Sequence, residues 1–243
     1  MHYIIKPLML GKMLMNCSLM TYMLNFQKEI WVPIVTWYVK TEDKNVLIDS
    51  GASVDIMKKY WYADYEEIMT FEQALDSVDT TPEEIDVVIQ THLHFDHCGN
   101  TSKCRNAEVI VQSEELAFSR KPHPLFFGSY LRRGELDEVN FKEVDGDAEV
   151  FPGIEVLKVP GHSPGTQAIS IQTENANVVL SGFCSIADNF SPPEKFKKLW
   201  PVLTPGVHVD ALQAFASAKR VKEEADVIIP IHDMEFASKN QIP

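Results

Sequence analysis

Cysteine is scarce in this sequence. Four occur in 243 residues, Cys17, Cys98, Cys104 and Cys184, and no two of them form a CxxC pair. That spacing excludes a zinc ribbon and a thioredoxin-like motif. A chain of this length needs no disulfide framework, so reduced thiols in the cytoplasm are expected. Positive charge is also short, with 22 Lys and Arg against 35 Asp and Glu, a net charge of −13. Such a field repels a phosphate backbone, and nucleic acid is not an expected partner. No uninterrupted apolar run reaches the roughly 18 residues that a membrane span requires, so no membrane association is expected either. The first 24 residues are apolar and rich in Met, but Lys12 and Asn16 interrupt them and no small-x-small cleavage site follows. They read as opening strands. Internal repeats, low-complexity tracts and long linkers are lacking too, which leaves one domain over residues 1–243.

What is present alternates strand and helix signals. Residues 1–49 read as strands, among them the β-branched and aromatic run Ile34–Lys40 and the apolar run from Asn45 that ends in Asp49-Ser50-Gly51. Residues 65–78 read as an amphipathic helix. Thr81, Pro82 and Glu84 then form a capping-box signature. Asp86–Gln90 reads as a buried strand, as do Ile154–Val159 and Val178–Leu180, each with a loop after it. Val209–Glu224 reads as a helix and Asp226–Ile231 as a closing strand. Strands followed by helix, twice over, predict an α+β fold: an αββα sandwich of two mixed sheets flanked by helices. Residues 120–138 fit neither period and suggest a lid or a pocket wall.

The buried strand Asp86–Gln90 runs straight into Thr91-His92-Leu93-His94-Phe95-Asp96-His97. Side chains alternate in an extended segment, so His92 and His94 point the same way and supply half of a tetrahedral metal site. Asp96 and His97 lie on the following turn, within reach of a second ion. The cluster cannot close a site alone. His162, held between glycines and prolines in Pro160-Gly161-His162-Ser163-Pro164-Gly165, and His232, at the end of an apolar strand, are reasonable further ligands. The bland alternative for each is a surface histidine. The other histidines, His2, His123 and His208, carry no such context.

His92-x-His94-x-Asp96-His97, with Pro160-Gly161-His162 and Ile231-His232-Asp233 downstream, resembles the metallo-β-lactamase superfamily. The likeness runs from Leu47-Ile48-Asp49-Ser50-Gly51 to His232. Within that superfamily the sequence looks most like the N-acyl homoserine lactonase branch, on Thr91–Gly99, Pro160–Gly165, Asn189-Phe190 and Pro205–Asp210. The resemblance implies two divalent metal ions, zinc first and manganese, iron or cobalt otherwise. His92, His94 and His162 would hold one and Asp96, His97 and His232 the other. Asp49 would orient a ligand imidazole from the second shell. The resemblance also implies a homodimer and a small-molecule substrate.

One departure stands out. The family normally bridges its two metals with an Asp after a strand. Here Val178-Val179-Leu180 is followed by Ser181-Gly182-Phe183-Cys184-Ser185, which puts either Phe183 or Cys184 at the bridge. Cys184 can be a thiolate ligand, the bridge can be lost with a weak or empty second site, or Cys184 can be a small buried hydrophobe. The tyrosine with which lactonases grip substrate is replaced by Ile186 or Ala187.

The chemistry expected is hydrolysis of a lactone or ester. A divalent metal lowers the pKa of bound water from about 15.7 to about 7, which yields hydroxide at neutral pH. Asp96 is the expected catalytic residue, passing a proton to the leaving alkoxide. Thioester hydrolysis as in glyoxalase II, β-lactam hydrolysis, and a metal-binding sensor without turnover are the alternatives. A nuclease is disfavoured by the charge, and flavodiiron redox chemistry by His94, where that branch has Glu. Phe126, Phe127, Tyr130 and Phe183, with Met15 and Trp31, are candidate pocket residues for an apolar group on the substrate.

Overall fold

Val46 and Ile48 leave their strand on one face and Leu47 on the other, and the layering follows from what each face meets. The structure, a computed structural model, describes residues 3–242; His2 lies outside them. The first sheet has seven strands in the spatial order β4-β1-β2-β3-β5-β6-β7. These are β1 Ile5–Asn16, β2 Glu29–Lys40, β3 Asn45–Ile48, β4 Tyr65–Glu67, β5 Val87–Ile89, β6 Glu108–Gln112 and β7 Phe141–Val144. The second has five in the order β12-β11-β10-β9-β8: β8 Ala148–Phe151, β9 Ile154–Lys158, β10 Gln167–Gln172, β11 Asn177–Leu180 and β12 Val227–Ile229.

The sheets bury their inner faces against each other. Val35, Trp37, Val46, Ile48 and Ile89 of the first meet Ile154, Val156, Ile169, Val178, Leu180 and Ile229 of the second. Outside the first sheet, Leu47, Val88 and Val109 pack on Phe71, Ala74 and Leu75 of helix α2 (Phe71–Asp76; α1 is Val54–Tyr60). Outside the second, Leu157, Ala168 and Val179 pack on Ala218 and Val221 of a long helix, Ala211–Glu224. The result is the expected αββα sandwich.

Three expectations need correction. Residues 65–78 are not one helix. Tyr65–Glu67 pair with Gly11–Met13 at the sheet edge, and the helix starts only after Thr70, whose hydroxyl and Gln73 form a reciprocal cap. The Thr81-Pro82-Glu84 signature opens a single 3-10 turn, Pro82–Glu84. Its Glu84 carboxylate takes both the amide and the hydroxyl of Thr81, so the hydroxyl caps nothing. The last strand is shorter than Asp226–Ile231, spanning Val227–Ile229. The opening strands and the helix near Val209–Glu224 are where the sequence puts them. That helix begins at Ala211 because the Asp210 carboxylate accepts from the amides of Leu212 and Gln213.

Strands β3 and β5 are parallel, β11 and β12 are parallel, and β9 runs with β11 because each is antiparallel to β10. Their carboxyl ends therefore gather along one rim of the sandwich. Asp49 follows β3, His92 follows β5, His162 follows β9, Cys184 follows β11 and His232 follows β12.

Candidate metal centre

The rim brings the scattered ligands together. Ligand atoms of His92, His94 and His162 lie within 4.8 Å of one another, and so do those of Asp96, His97 and His232. All six residues are buried or nearly so. Phe95–Cys98 forms a single helical turn right after His94, and that turn swings Asp96 and His97 to the second group. Gly161 (φ +123°) lets the His162 loop lie flat on the Ala211–Glu224 helix. A Cβ there would sit 2.2 Å from the Ala214 amide nitrogen.

Hydrogen bonds fix the tautomers. The Nδ1 of His162 donates to the Val207 carbonyl (2.7 Å), that of His232 to the Pro33 carbonyl (3.3 Å) and that of His97 to Asp49 Oδ2 (2.7 Å). His92 Nδ1 lies 3.0 Å from Thr91 Oγ1, whose own proton goes to Asp49 Oδ2 at 2.8 Å, so the imidazole donates there too. The Nδ1 atoms of His92, His97, His162 and His232 are thus spent outward, and their Nε2 atoms turn inward. His92 Nε2 and His162 Nε2 face each other at 3.1 Å, and His97 Nε2 and His232 Nε2 at 3.2 Å. His94 Nε2 is buried without a partner. Two facing lone pairs in a buried pocket repel unless a cation, a metal ion or a proton, lies between them. The donor set, three imidazoles in one group and two imidazoles with a carboxylate in the other, fits a pair of divalent metal ions.

The electrostatics differ between the groups. Burial, and then the charge on His97, pushes His92 well below the usual histidine range. Burial likewise brings His162 and His232 down to about 4. His97 goes the other way. Burial opposes its charge, but the carboxylates of Asp96 and Asp49 outweigh it and raise the imidazole to about 10. For Asp96 burial is again opposed and overcome, here by His97 and His232, and the carboxyl is held well below its usual range. Asp49 sits in the left-handed region (φ +54°) and also accepts the Thr91 amide at 2.7 Å. It thereby ties β3 to the turn before His92.

A cleft of about 80 Å³ opens over the ligands, lined by Met13, Met15, Leu19, Trp61, Phe95, Ser129, Cys184 and Val207. Of the apolar residues expected to line it, only Met15 does. Phe183 turns to the opposite side, where it packs on Phe190 within the helix-facing layer, because the side chains flanking a turn after β11 diverge. Tyr130 is buried with its ring 4.8 Å from that of His94, one layer behind the cleft. Phe126 packs on Phe118, and Phe127 borders a separate cavity of about 720 Å³ with Leu116 and Arg133. Trp31 lies under Lys12, away from the cleft. Apart from Ser129, which reaches the cleft, residues 120–138 thus back the ligands rather than cover them.

Cys184, not Phe183, lines the cleft over the two ligand groups. Its sulfur lies 3.3 Å from Met20 Sδ and 3.5 Å from the Leu19 carbonyl, and it belongs to neither ligand group. Burial, with the Asp96 charge, pushes the thiol well above its usual range. Two site residues escaped the sequence reading. Trp61 Nε1 is buried without a partner, and Glu115 is buried beneath the ligand loops. The one available signal for Glu115 was an acid beside Leu116 on the inward stripe of its helix, Ser113–Arg120.

Residues 30–232 match the family model for the metallo-beta-lactamase superfamily. An N-acyl homoserine lactonase of Bacillus cereus is 30% identical over 224 residues, 84% of this chain and 82% of its own. One of Bacillus thuringiensis is 28% identical over 242 residues, 93% of this chain and 91% of its own. The crystal structure of a quorum-quenching N-acyl homoserine lactone lactonase superposes with a TM-score of 0.79 at 27% identity, over 97% of this chain and 94% of that one. An N-acyl homoserine lactone hydrolase with N-hexanoyl-L-homoserine at its catalytic metal center gives a TM-score of 0.78 at 26% identity, over 97% and 95%.

Proposed function

We propose that this chain, which belongs to the metallo-β-lactamase superfamily, hydrolyses a lactone that carries an apolar acyl group. Family membership and the two ligand groups make it a metal-dependent hydrolase. The observation that carries the reading is the inward convergence of Nε2 atoms from three strand-end loops. We assign His92, His94 and His162 to one metal ion and Asp96, His97 and His232 to the other, with zinc as the first candidate. When bound, such ions polarise a carbonyl and lower the pKa of water.

The chain's own residues supply the rest. Asp49 holds the His97 imidazole in one tautomer and in one orientation. Asp96, whose Oδ2 lies 3.4 Å from His97 Nε2 and 3.7 Å from His232 Nε2, is kept ionised and borders the cleft. From there it takes a proton from the attacking water and returns it to the leaving alkoxide. Trp61 Nε1 offers an unpaired donor for a substrate carbonyl, the task that a tyrosine would otherwise do. Met13, Met15 and Leu19 give the acyl group an apolar wall. Cys184 is read as a protonated thiol packed on Met20, which leaves the two metals without a shared protein anion.

Among the described residues, no helix is long and apolar enough to cross a membrane. We place the protein in the cytoplasm, because its four buried cysteines are all free. We read it as a homodimer. Light scattering that gives a 27.6 kDa particle at micromolar concentration refutes that. The function is tested by offering the zinc-loaded protein N-acyl homoserine lactones, simple aryl esters, an acyl thioester and a β-lactam. Lactones should have the highest kcat/KM. A thioester or β-lactam preferred over every lactone overturns the substrate class.

A further inference from the structure

Glu115 projects from its helix into the space beneath the ligand loops and is fully buried. Its carboxylate takes four donors. Oε1 accepts from the Leu93 amide (3.0 Å) and the Tyr130 hydroxyl (3.0 Å). Oε2 accepts from the Ser163 hydroxyl (2.5 Å) and the Gly165 amide (3.2 Å). Four donors fill the four lone-pair positions of a carboxylate, and each favours the ionised form against the burial that pushes the carboxyl pKa up. The donors are not a random set. Leu93 lies between His92 and His94, Ser163 and Gly165 follow His162, and the Tyr130 ring stands edge-on to His94. Each belongs to the same metal-ligand group. Gly165 is pressed so closely on the helix that a Cβ would lie 2.3 Å from the Glu115 amide nitrogen.

Asp49 performs the corresponding task for the other group, with its carboxylate bonded to the Thr91 turn and to His97. Asp49 touches a ligand imidazole directly only at His97 and reaches His92 through the Thr91 hydroxyl, whereas Glu115 binds the segments that carry His92, His94 and His162. We propose that Glu115 is the positioning residue of the first metal site: one buried anion that clamps the His92–His94 segment to the His162 loop and sets the spacing of those three imidazoles. It adds a negative charge behind a ligand group that has none of its own, which favours a dication there over an empty site. A mere packing role would not demand a carboxylate, since an apolar side chain of similar volume fills space as well.

The proposal rests on the two-site reading, and the test separates them. His232→Ala and His162→Ala each leave one intact ligand group, and zinc affinity is measured in both backgrounds by competition with a chromophoric chelator. Glu115→Gln keeps the shape, but its amide turns N–H toward two donors. In the His232→Ala background it should weaken zinc at least tenfold. In the His162→Ala background it should change affinity less than threefold. Tyr130→Phe removes one donor and keeps the rest, so it should give a smaller loss, about threefold, confined to the same background, and it covers the case in which Glu115→Gln does not fold. Equal losses in both backgrounds, or none in either, overturn the role of Glu115 and leave the two sites standing. A His232→Ala protein that binds no zinc at all overturns the two-site reading, and this proposal with it.

Discussion

The Nε2 atoms of His92 and His162 face each other across 3.1 Å, and neither has a proton to share, because each ring has already donated its Nδ1–H to the protein behind it. An apolar solution to that geometry does not exist. Only a cation between the rings turns the repulsion into attraction. Metal should therefore stabilise the fold strongly: free zinc at 100 times its Kd adds about 2.7 kcal/mol to the unfolding free energy. A melting temperature indifferent to zinc and to chelators contradicts the account.

The second pair behaves differently, because without metal a proton takes the cation's place. His97, raised to about 10, is an imidazolium at neutral pH, whereas His232 at about 4 is neutral. Metal entering this group must expel the His97 proton, so binding between pH 7 and 9 should release one proton. Calorimetry in buffers of different ionisation enthalpy reads that number directly. The same shift makes a sign prediction for the metal-free protein. The contribution of His97 to stability is fully present below pH 6.5 and lost as pH rises through about 10. The lowered groups, His162 and His232, act oppositely, and their contribution is lost as pH falls from 6.5 through about 4. Zero proton release at pH 8 refutes the assignment of His97 as the protonated member.

Asp96→Asn keeps the shape of the side chain and removes its charge. It should lower kcat for lactone opening by at least tenfold, ~1.4 kcal/mol of barrier. Activity within a few-fold of the parent removes Asp96 from the proton path.

Trp61→Phe deletes the only cleft-lining indole and keeps the ring packing on Phe95. KM should rise by roughly twofold to tenfold, the ~0.5–1.5 kcal/mol of one neutral hydrogen bond, with kcat little changed. A fall in kcat at constant KM instead would show that the indole acts only in the transition state.

The turn after β11 offers a paired test. Cys184→Asp puts a carboxylate on the cleft side and should tighten the second metal by about tenfold, ~1.4 kcal/mol. Phe183→Asp puts one among Phe190, Leu157 and Val159 and should cost roughly 3–5 kcal/mol of stability with no gain in metal affinity. The opposite pattern means that the residues have been placed on the wrong faces of the turn.

How far the sequence led depends on what kind of signal each feature leaves. The two candidate ligand groups were legible because imidazoles and an acid crowded at one strand end, and histidines mounted on rigid strand-end loops, have few other uses. The sandwich was legible because strand signals followed by a helix signal recur twice along the chain. Glu115 was not, since its partners come from three places in the chain and a lone acid on a helix leaves almost no pattern. Trp61 was hidden for a related reason: an indole without a partner is visible only once its surroundings are known. The aromatic segment near residue 130 misled because its rings serve to brace His94 and its helix rather than to line the cleft. Residues 65–78 misled because an edge strand as short as Tyr65–Glu67 is set by its pairing with β1 and not by its own period.

The central claim is that six residues from three strand ends hold two metal ions. Anomalous diffraction at the zinc edge, from crystals grown with zinc, tests it without recourse to any substrate. The account predicts two peaks per chain. One should lie ~2.0–2.1 Å from Nε2 of His92 and His162 and from a ring nitrogen of His94, and the other at that distance from Nε2 of His97 and His232, with the Asp96 carboxylate completing the second set. A single peak shared between the groups, or none at saturating zinc, contradicts it.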